Sequence, residues 1–247
     1  MTYLQAINKV KQKYHGDNDV VIFTILYKVS RKIKNKLDFV NLRNQRIDFK
    51  FSRFTNLLID YFEKQKPLGQ IVGSTKFCHL TIDIFKNIFE PRTETEIITD
   101  TIIQYLHLHP EFKKGADLCC GTGCMGVSIK KYCPHIHMTC IDINPNAIDN
   151  TQHNALLNNV KVKTIVGDFY QELIHKKLKF DFIVCNPPYI DPKKINWVMT
   201  KYETKISFTN SNDPLFFYKK LIHNKNKILN KHGKIFFENQ NAELLII

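Results

Sequence analysis

Long apolar runs are missing from this chain. Across its 247 residues none approaches the roughly 18 consecutive apolar positions that a membrane-spanning helix needs. The opening residues Met1 to Ala6 carry no apolar core of a secretory signal, so a cytoplasmic protein away from membranes is expected. Seven cysteines are present, but the count is odd and paired C-x-x-C spacing is lacking. That argues against a disulfide framework, for a reducing compartment, and against a zinc centre. There is no internal repeat and no low-complexity tract. A long basic arm is also absent. The net charge of +13 is carried by scattered lysines such as Lys32, Lys34 and Lys36, or Lys176, Lys177 and Lys179. In a chain rich in Lys, Asn and Ile throughout, it reads as compositional drift rather than a dedicated nucleic-acid face.

What is present is enough for a real core, with 43% hydrophobic residues. Residues 1 to about 66 read as helices, with Leu4, Ile7 and Val10, then Val21, Ile25 and Val29, then Phe54, Leu57, Leu58 and Tyr61 as three apolar faces. Gly69 and Gly73 punctuate a boundary. Partial alternation from Phe77 to Phe89 predicts a short β-hairpin. A helix over about 94–107 follows. From Ala116 onward strands and helices alternate, the mark of an α/β sheet with helices on both faces. Strands are expected at 116–119, 137–141, 162–166, 180–185 and 233–237. Helices are expected over about 125–132, 145–158 and 213–229.

The strand ends carry the chemistry. The first stops at a turn in which Gly121 and Gly123 flank Thr122, allowing a ligand close approach to the backbone. The second ends in Asp142, about twenty residues on, a spacing that suits a carboxylate accepting both hydroxyls of a ribose. The third ends at Asp168 and Phe169. The acid suits an adenine amino group, and Phe169 or Ile143 suits the face of the ring. The fourth halts at Asn186-Pro187-Pro188-Tyr189, where two prolines remove two ladder donors and hold the chain extended. An Asn oxygen and the Pro187 carbonyl can accept both hydrogens of an NH2 group, with the Tyr189 ring over its face. Gly121, Gly123 and Gly126 spell G-x-G-x-x-G literally, but a dinucleotide site has no use for that fourth strand end.

These residues resemble the class I methyltransferases, and more narrowly the protein-glutamine N5-methyltransferases of the PrmC/HemK type. The likeness runs through Pro67 to Gly73, Phe77, Pro91-Arg92 with Thr95-Glu96, Asp117, Gly121 to Gly123, Asp142 and Asp168. It continues through Asn186 to Ile190, Tyr202-Glu203, Asp213, Tyr218 and Glu238. It implies S-adenosyl-L-methionine as cofactor, a glutamine of a peptide chain release factor as acceptor, and work near the ribosome. It implies a helical recognition domain over 1–70, a β-hairpin linker over 71–92 and a methyltransferase domain over 93–247. Asn186, Pro187 and Tyr189 would then be catalytic. Gly121, Thr122, Gly123, Asp142, Ile143, Asp168, Phe169 and Asn186 would hold the cofactor, and Asn186 to Tyr189 the substrate. Arg92 and Glu96, four apart at a helix start, are expected to pair or to shape the cofactor entrance.

The chain departs from the pattern at Cys119, Thr204, Pro214 and Asn239-Gln240. Its last residues, 242–247, are too few for two further strands, so the fifth strand is expected to end as a bare edge. Two other functions stay open: N-methylation of an adenine or guanine amino group in RNA or DNA, and a shortened, non-catalytic adaptor. Nucleic acid is the less expected substrate, because Pro91-Arg92 with Thr95-Glu96 is the more specific signal.

Overall fold

The computed structural model describes residues 1–194, 201–209, 213–239 and 243–247. The chain divides into two compact units, Met1–Gly73 and Ser74–Ile247.

The first unit is helical: α1 (Tyr3–Lys13), α2 (Asp19–Val29), α3 (Lys36–Leu42), α4 (Phe51–Phe62) and α5 (Leu68–Val72). Thr2 and Gln5 start α1 with a reciprocal capping box. The expected apolar faces turn inward, with Ile7, Val10, Ile25, Val29, Phe54 and Leu58 buried. The period alone did not show α3 and α5, because seven- and five-residue helices are too short to display it. Asp48 organises the connections. It accepts the Tyr3 hydroxyl at 2.8 Å, the Ser30 hydroxyl at 2.9 Å and the N–H groups of Arg31 and Lys32. Burial raises its carboxyl, but these four donors outweigh that and hold it below its ordinary value.

The second unit opens with an antiparallel hairpin, β1 (Ser74–Phe77) and β2 (Leu80–Asp83). The predicted alternation placed it several residues too late, because Leu80 and Ile82 point inward while Ile84 and Ile88 are buried in irregular chain. Then follow α6 (Thr93–Leu108), β3 (Lys114–Leu118), α7 (Cys124–Tyr132), β4 (His137–Asp142), α8 (Pro145–Leu157), β5 (Lys163–Val166), α9 (Phe169–His175) and β6 (Phe180–Cys185). Past β6 come α10 (Phe216–His223), α11 (Lys225–Ile228), β7 (Leu229–Glu238) and β8 (Leu244–Ile246). The single helix expected over 213–229 is thus two, and α9 went unread.

The sheet order is β5-β4-β3-β6-β7-β8, parallel except for the β7–β8 pair. Both faces are buried, as parallel strands require. Phe182 and Val184 point into a core shared with α6 and α7, while Ile183 and Cys185 point into one shared with α9 and α10. The bare edge expected at the fifth strand is not found. β8 pairs with Phe236 to Glu238, and Ile247 exchanges backbone hydrogen bonds with Ile235 at 2.9 and 3.0 Å. Ala242, which entered that expectation, and Gln240, one of the departures from the family pattern, lie outside the described residues. No helix among the described residues is long and apolar enough to cross a membrane.

Candidate active site

β3 and β6 lie side by side, yet the chain leaves them in opposite directions, toward β4 and toward β7. Their carboxyl ends therefore open a crevice, the place where open α/β sheets take ligands. One pocket occupies it. Its wall includes Gly121, Thr122, Asp142, Ile143, Asp168, Phe169, Asn186, Pro187, Pro188 and Tyr189. Ten of the residues expected from the sequence are thus gathered in one place.

The eleventh, Gly123, is not on that wall. Its φ of 76° starts α7, and a Cβ there would lie 2.7 Å from Thr151. Gly126 is likewise a packing glycine, since a Cβ would fall 2.6 Å from the Cys140 sulfur. Gly121 differs: at φ 56° its Cβ would meet no protein atom within 4 Å, so that face stands open to the pocket. The literal G-x-G-x-x-G therefore separates into one glycine for a ligand and two for the helix.

Asp142 closes the turn from the other side. Its Oδ2 accepts the Gly121 N–H and its Oδ1 the Asn144 N–H, each at 2.9 Å. One bond per oxygen leaves acceptor capacity on both, as a pair of vicinal hydroxyls requires. Burial raises this carboxyl against the pull of its N–H donors. Beneath the turn, Asp117 is buried and its Oδ2 accepts the Gly126 N–H at 2.8 Å. Burial pushes it up to about 7. Asp117 lies within β3, one residue short of its end, and only the fold brings it to the pocket wall.

Asp168 has a structural duty as well. Its Oδ1 caps α9, accepting from Tyr170 and Gln171, and its Oδ2 lies 3.9 Å from the Lys220 ammonium. Phe169 is buried against Phe217, and Ile143 is half exposed at the rim.

β6 ends at Cys185 as the prolines require. The Asn186 Nδ2 donates to the Thr95 hydroxyl at 3.2 Å. Tyr189 does two things at once. Its ring packs against the core under α9 and α10 while facing the pocket, and its hydroxyl donates to Glu238 Oε1 at 3.3 Å. Burial pushes the phenol well up, so it is a donor rather than an acid in neutral solution. Glu238, on β7, is buried and raised chiefly by that burial, with Thr95, Tyr189 and Asn186 pulling the other way.

A strap over 201–209 roofs the site. Ile206, Ser207 and Phe208 line the pocket, the Ile190 N–H donates to Phe208 O at 2.9 Å, and Phe208 meets Phe89 edge-on. Arg92 does not pair with Glu96. It forks onto Glu203 of the strap at 3.2 and 2.9 Å, while Glu96 accepts the Cys78 N–H at 2.7 Å. Nothing four residues apart on a helix could have announced a partner 111 positions away.

The cysteines at the pocket, Cys119, Cys120 and Cys124, are held well up as neutral thiols, Cys119 by Cys185 and burial, the others chiefly by burial. Among the described residues no three His, Cys, Asp or Glu gather as a metal site.

Residues 86–203 match the family model described as "Methyltransferase small domain". A "Release factor glutamine methyltransferase" of Clostridium botulinum is 34% identical over 186 residues, 73% of this chain and 65% of that protein. One of Clostridium acetobutylicum is 33% identical over 196 residues, 74% of this chain and 68% of that protein. One of Thermodesulfovibrio yellowstonii is 31% identical over 210 residues, 82% and 75% respectively. Against some relatives the shared length is smaller, 43% of the Chlamydia trachomatis protein. The chain thus spans about two thirds of the two Clostridium relatives and less than half of the Chlamydia trachomatis one.

Proposed function

This chain belongs to the release factor glutamine methyltransferases, and on that premise we propose that it methylates the side-chain amide nitrogen of a glutamine in a peptide chain release factor. The observation that carries the reading is the meeting of Asn186-Pro187-Pro188-Tyr189 with the Gly121 turn in one pocket. S-adenosyl-L-methionine, when bound, supplies an electrophilic methyl group on a sulfonium centre.

The residues present fit such a cofactor. Gly121 leaves an uncovered backbone face, and each Asp142 oxygen retains acceptor capacity for the ribose hydroxyls. Ile143 and Phe169 supply apolar surface for an adenine, and Asp168, whose Oδ2 also faces the Lys220 ammonium, would accept from its amino group. Thr122 completes the turn.

An amide nitrogen is a poor nucleophile because its lone pair is delocalised. The Asn186 oxygen and the Pro187 carbonyl would accept its two hydrogens, hold it in place and strengthen their bonds as positive charge develops on nitrogen. Pro188 keeps the backbone extended and Tyr189 covers the acceptor. No histidine or lysine lines the pocket among the described residues, and none is needed, because the methylated nitrogen becomes acidic and sheds its proton. Phe89 and Phe208, edge-on to each other on the pocket wall, would keep water from the reacting groups.

In this reading residues 1–70 recognise the release factor, 71–92 link, and 93–247 carry the reaction, in the cytoplasm and close to the ribosome. The test is Asn186→Ala. Methylation of the glutamine should fall at least about a hundredfold, while cofactor affinity by isothermal titration stays within about threefold. Full turnover by this variant sinks the assignment.

A further inference from the structure

An asparagine amide fits its space equally well in two orientations, and only its partners decide whether oxygen or NH2 faces outward. At Asn186 that choice decides whether the pocket is offered an acceptor or a donor. We propose that Thr95 and Glu238 are positioning residues that fix the amide of Asn186, turning its NH2 inward so that its oxygen faces the pocket. The proposal rests on the methyl-transfer reading and goes beyond it, naming what orients the group that grips the acceptor.

The Asn186 Nδ2 meets the Thr95 Oγ1 at 3.2 Å. A threonine hydroxyl has one proton, and where that proton goes determines what the oxygen can do for Asn186. Thr95 stands in the first turn of α6, 3% exposed, with the Glu238 carboxylate beside it. Glu238 is also 3% exposed, and a carboxylate only accepts. Tyr189 supplies one proton to its Oε1 at 3.3 Å, while its Oε2 is buried with no well-formed hydrogen bond. A buried acceptor in that condition draws any neighbouring proton toward it. The Thr95 hydroxyl, like the Asn186 amide, pulls the Glu238 carboxyl down as a donor, so its one proton is turned that way. With it turned toward Glu238, Thr95 presents only lone pairs to Asn186. The amide must then donate inward, and its oxygen is left for the pocket.

β7 also holds this carboxylate in place, since the Tyr218 hydroxyl donates to the Glu238 backbone oxygen at 2.7 Å. The relay thus joins α6, the end of β6 and the end of β7, three elements far apart in sequence.

Three variants of the full chain test it: Thr95→Ser, Thr95→Val and Glu238→Gln. Two readouts are taken with each. The first is kcat, KM and cofactor affinity with labelled S-adenosylmethionine and purified release factor. The second is exchange of the Asn186 side-chain NH2 protons by NMR, which needs no substrate. Thr95→Ser keeps the hydroxyl and should stay within about threefold of the parent kcat, with the NH2 protons still protected. Thr95→Val and Glu238→Gln should each lower kcat at least about thirtyfold, with cofactor affinity changed less than about threefold and protection lost. Glu238→Gln matters because it keeps the shape and can itself donate to Thr95, reversing the relay. Unchanged kcat and protection in Thr95→Val overturn the proposal. So does a loss that Thr95→Ser shares, or one matched by an equal loss of cofactor affinity. If the parent chain methylates no glutamine while the NMR pattern holds, the functional reading fails and the orientation stands.

Discussion

Asp117 shows what a single buried group does to this molecule. It sits within β3 with one hydrogen bond, from Gly126, and burial lifts its carboxyl to about 7. In the unfolded chain it titrates near 3.8. A folded value above the unfolded one means that the folded state holds the proton more tightly. The contribution to stability is therefore complete below about pH 4 and is lost as pH rises through about 7. Asp117→Asn keeps an acceptor for Gly126 and removes the titration. Its stability relative to the parent, from urea unfolding, should be near zero at pH 4 and grow to a few kcal/mol above pH 7. A difference independent of pH would contradict this. Residues of this kind divide sharply in how far the sequence discloses them. Asp142 and Asn186 were legible because each follows an apolar run that stops, which marks a strand end. Asp117 lies inside such a run, and nothing local tells a buried acid from one at a sheet surface. Thr95 and Glu238 were less legible still, since Thr95 is 91 residues from Asn186 and only the closed sheet brings them together.

Helix α8 carries the same lesson for elements. Asn150, Asn154 and Asn158 recur every fourth residue, which by composition reads as a solvated helix face. Asn150 and Asn154 are instead fully buried and Asn158 nearly so, because the hairpin brings unpaired backbone groups against them. Asn154 accepts the Asp83 N–H at 2.8 Å and donates to both Asp83 O and Thr122 O at 2.9 Å. Asn150 accepts from Phe85 and donates to Asp83 O, and Asn158 donates to Thr81 O. One helix thus fixes the hairpin on one side and the glycine turn on the other. Asn154→Ala leaves buried backbone groups unpaired, a loss of about 2–4 kcal/mol in urea unfolding. Because Thr122 belongs to the turn, cofactor affinity should also fall, unlike in Asn186→Ala. Strand types from β3 to β6 and the helices α7 and α8 were legible from period and length, whereas α9, at seven residues, was not. The split of α10 from α11 and the pairing of β8 were not, since each depends on contacts across the sheet.

At the scale of the whole molecule, the two units have separate cores, one around Tyr3, Leu26 and Phe54 and the others around the sheet. Every pocket residue belongs to the second unit. A fragment of residues 74–247 should therefore fold and bind S-adenosylmethionine within a few-fold of the full chain. If the helical unit recognises the acceptor protein, the fragment should methylate a release factor at least about tenfold more slowly. Equal rates would assign recognition to the second unit alone.

The most direct test of the central claim is to incubate the full chain with methyl-labelled S-adenosylmethionine and purified release factor, then map the labelled peptide. The expected result is label on the side-chain nitrogen of the glutamine in the Gly-Gly-Gln motif. Label on RNA or DNA, or none on protein from a chain that binds the cofactor, would contradict it.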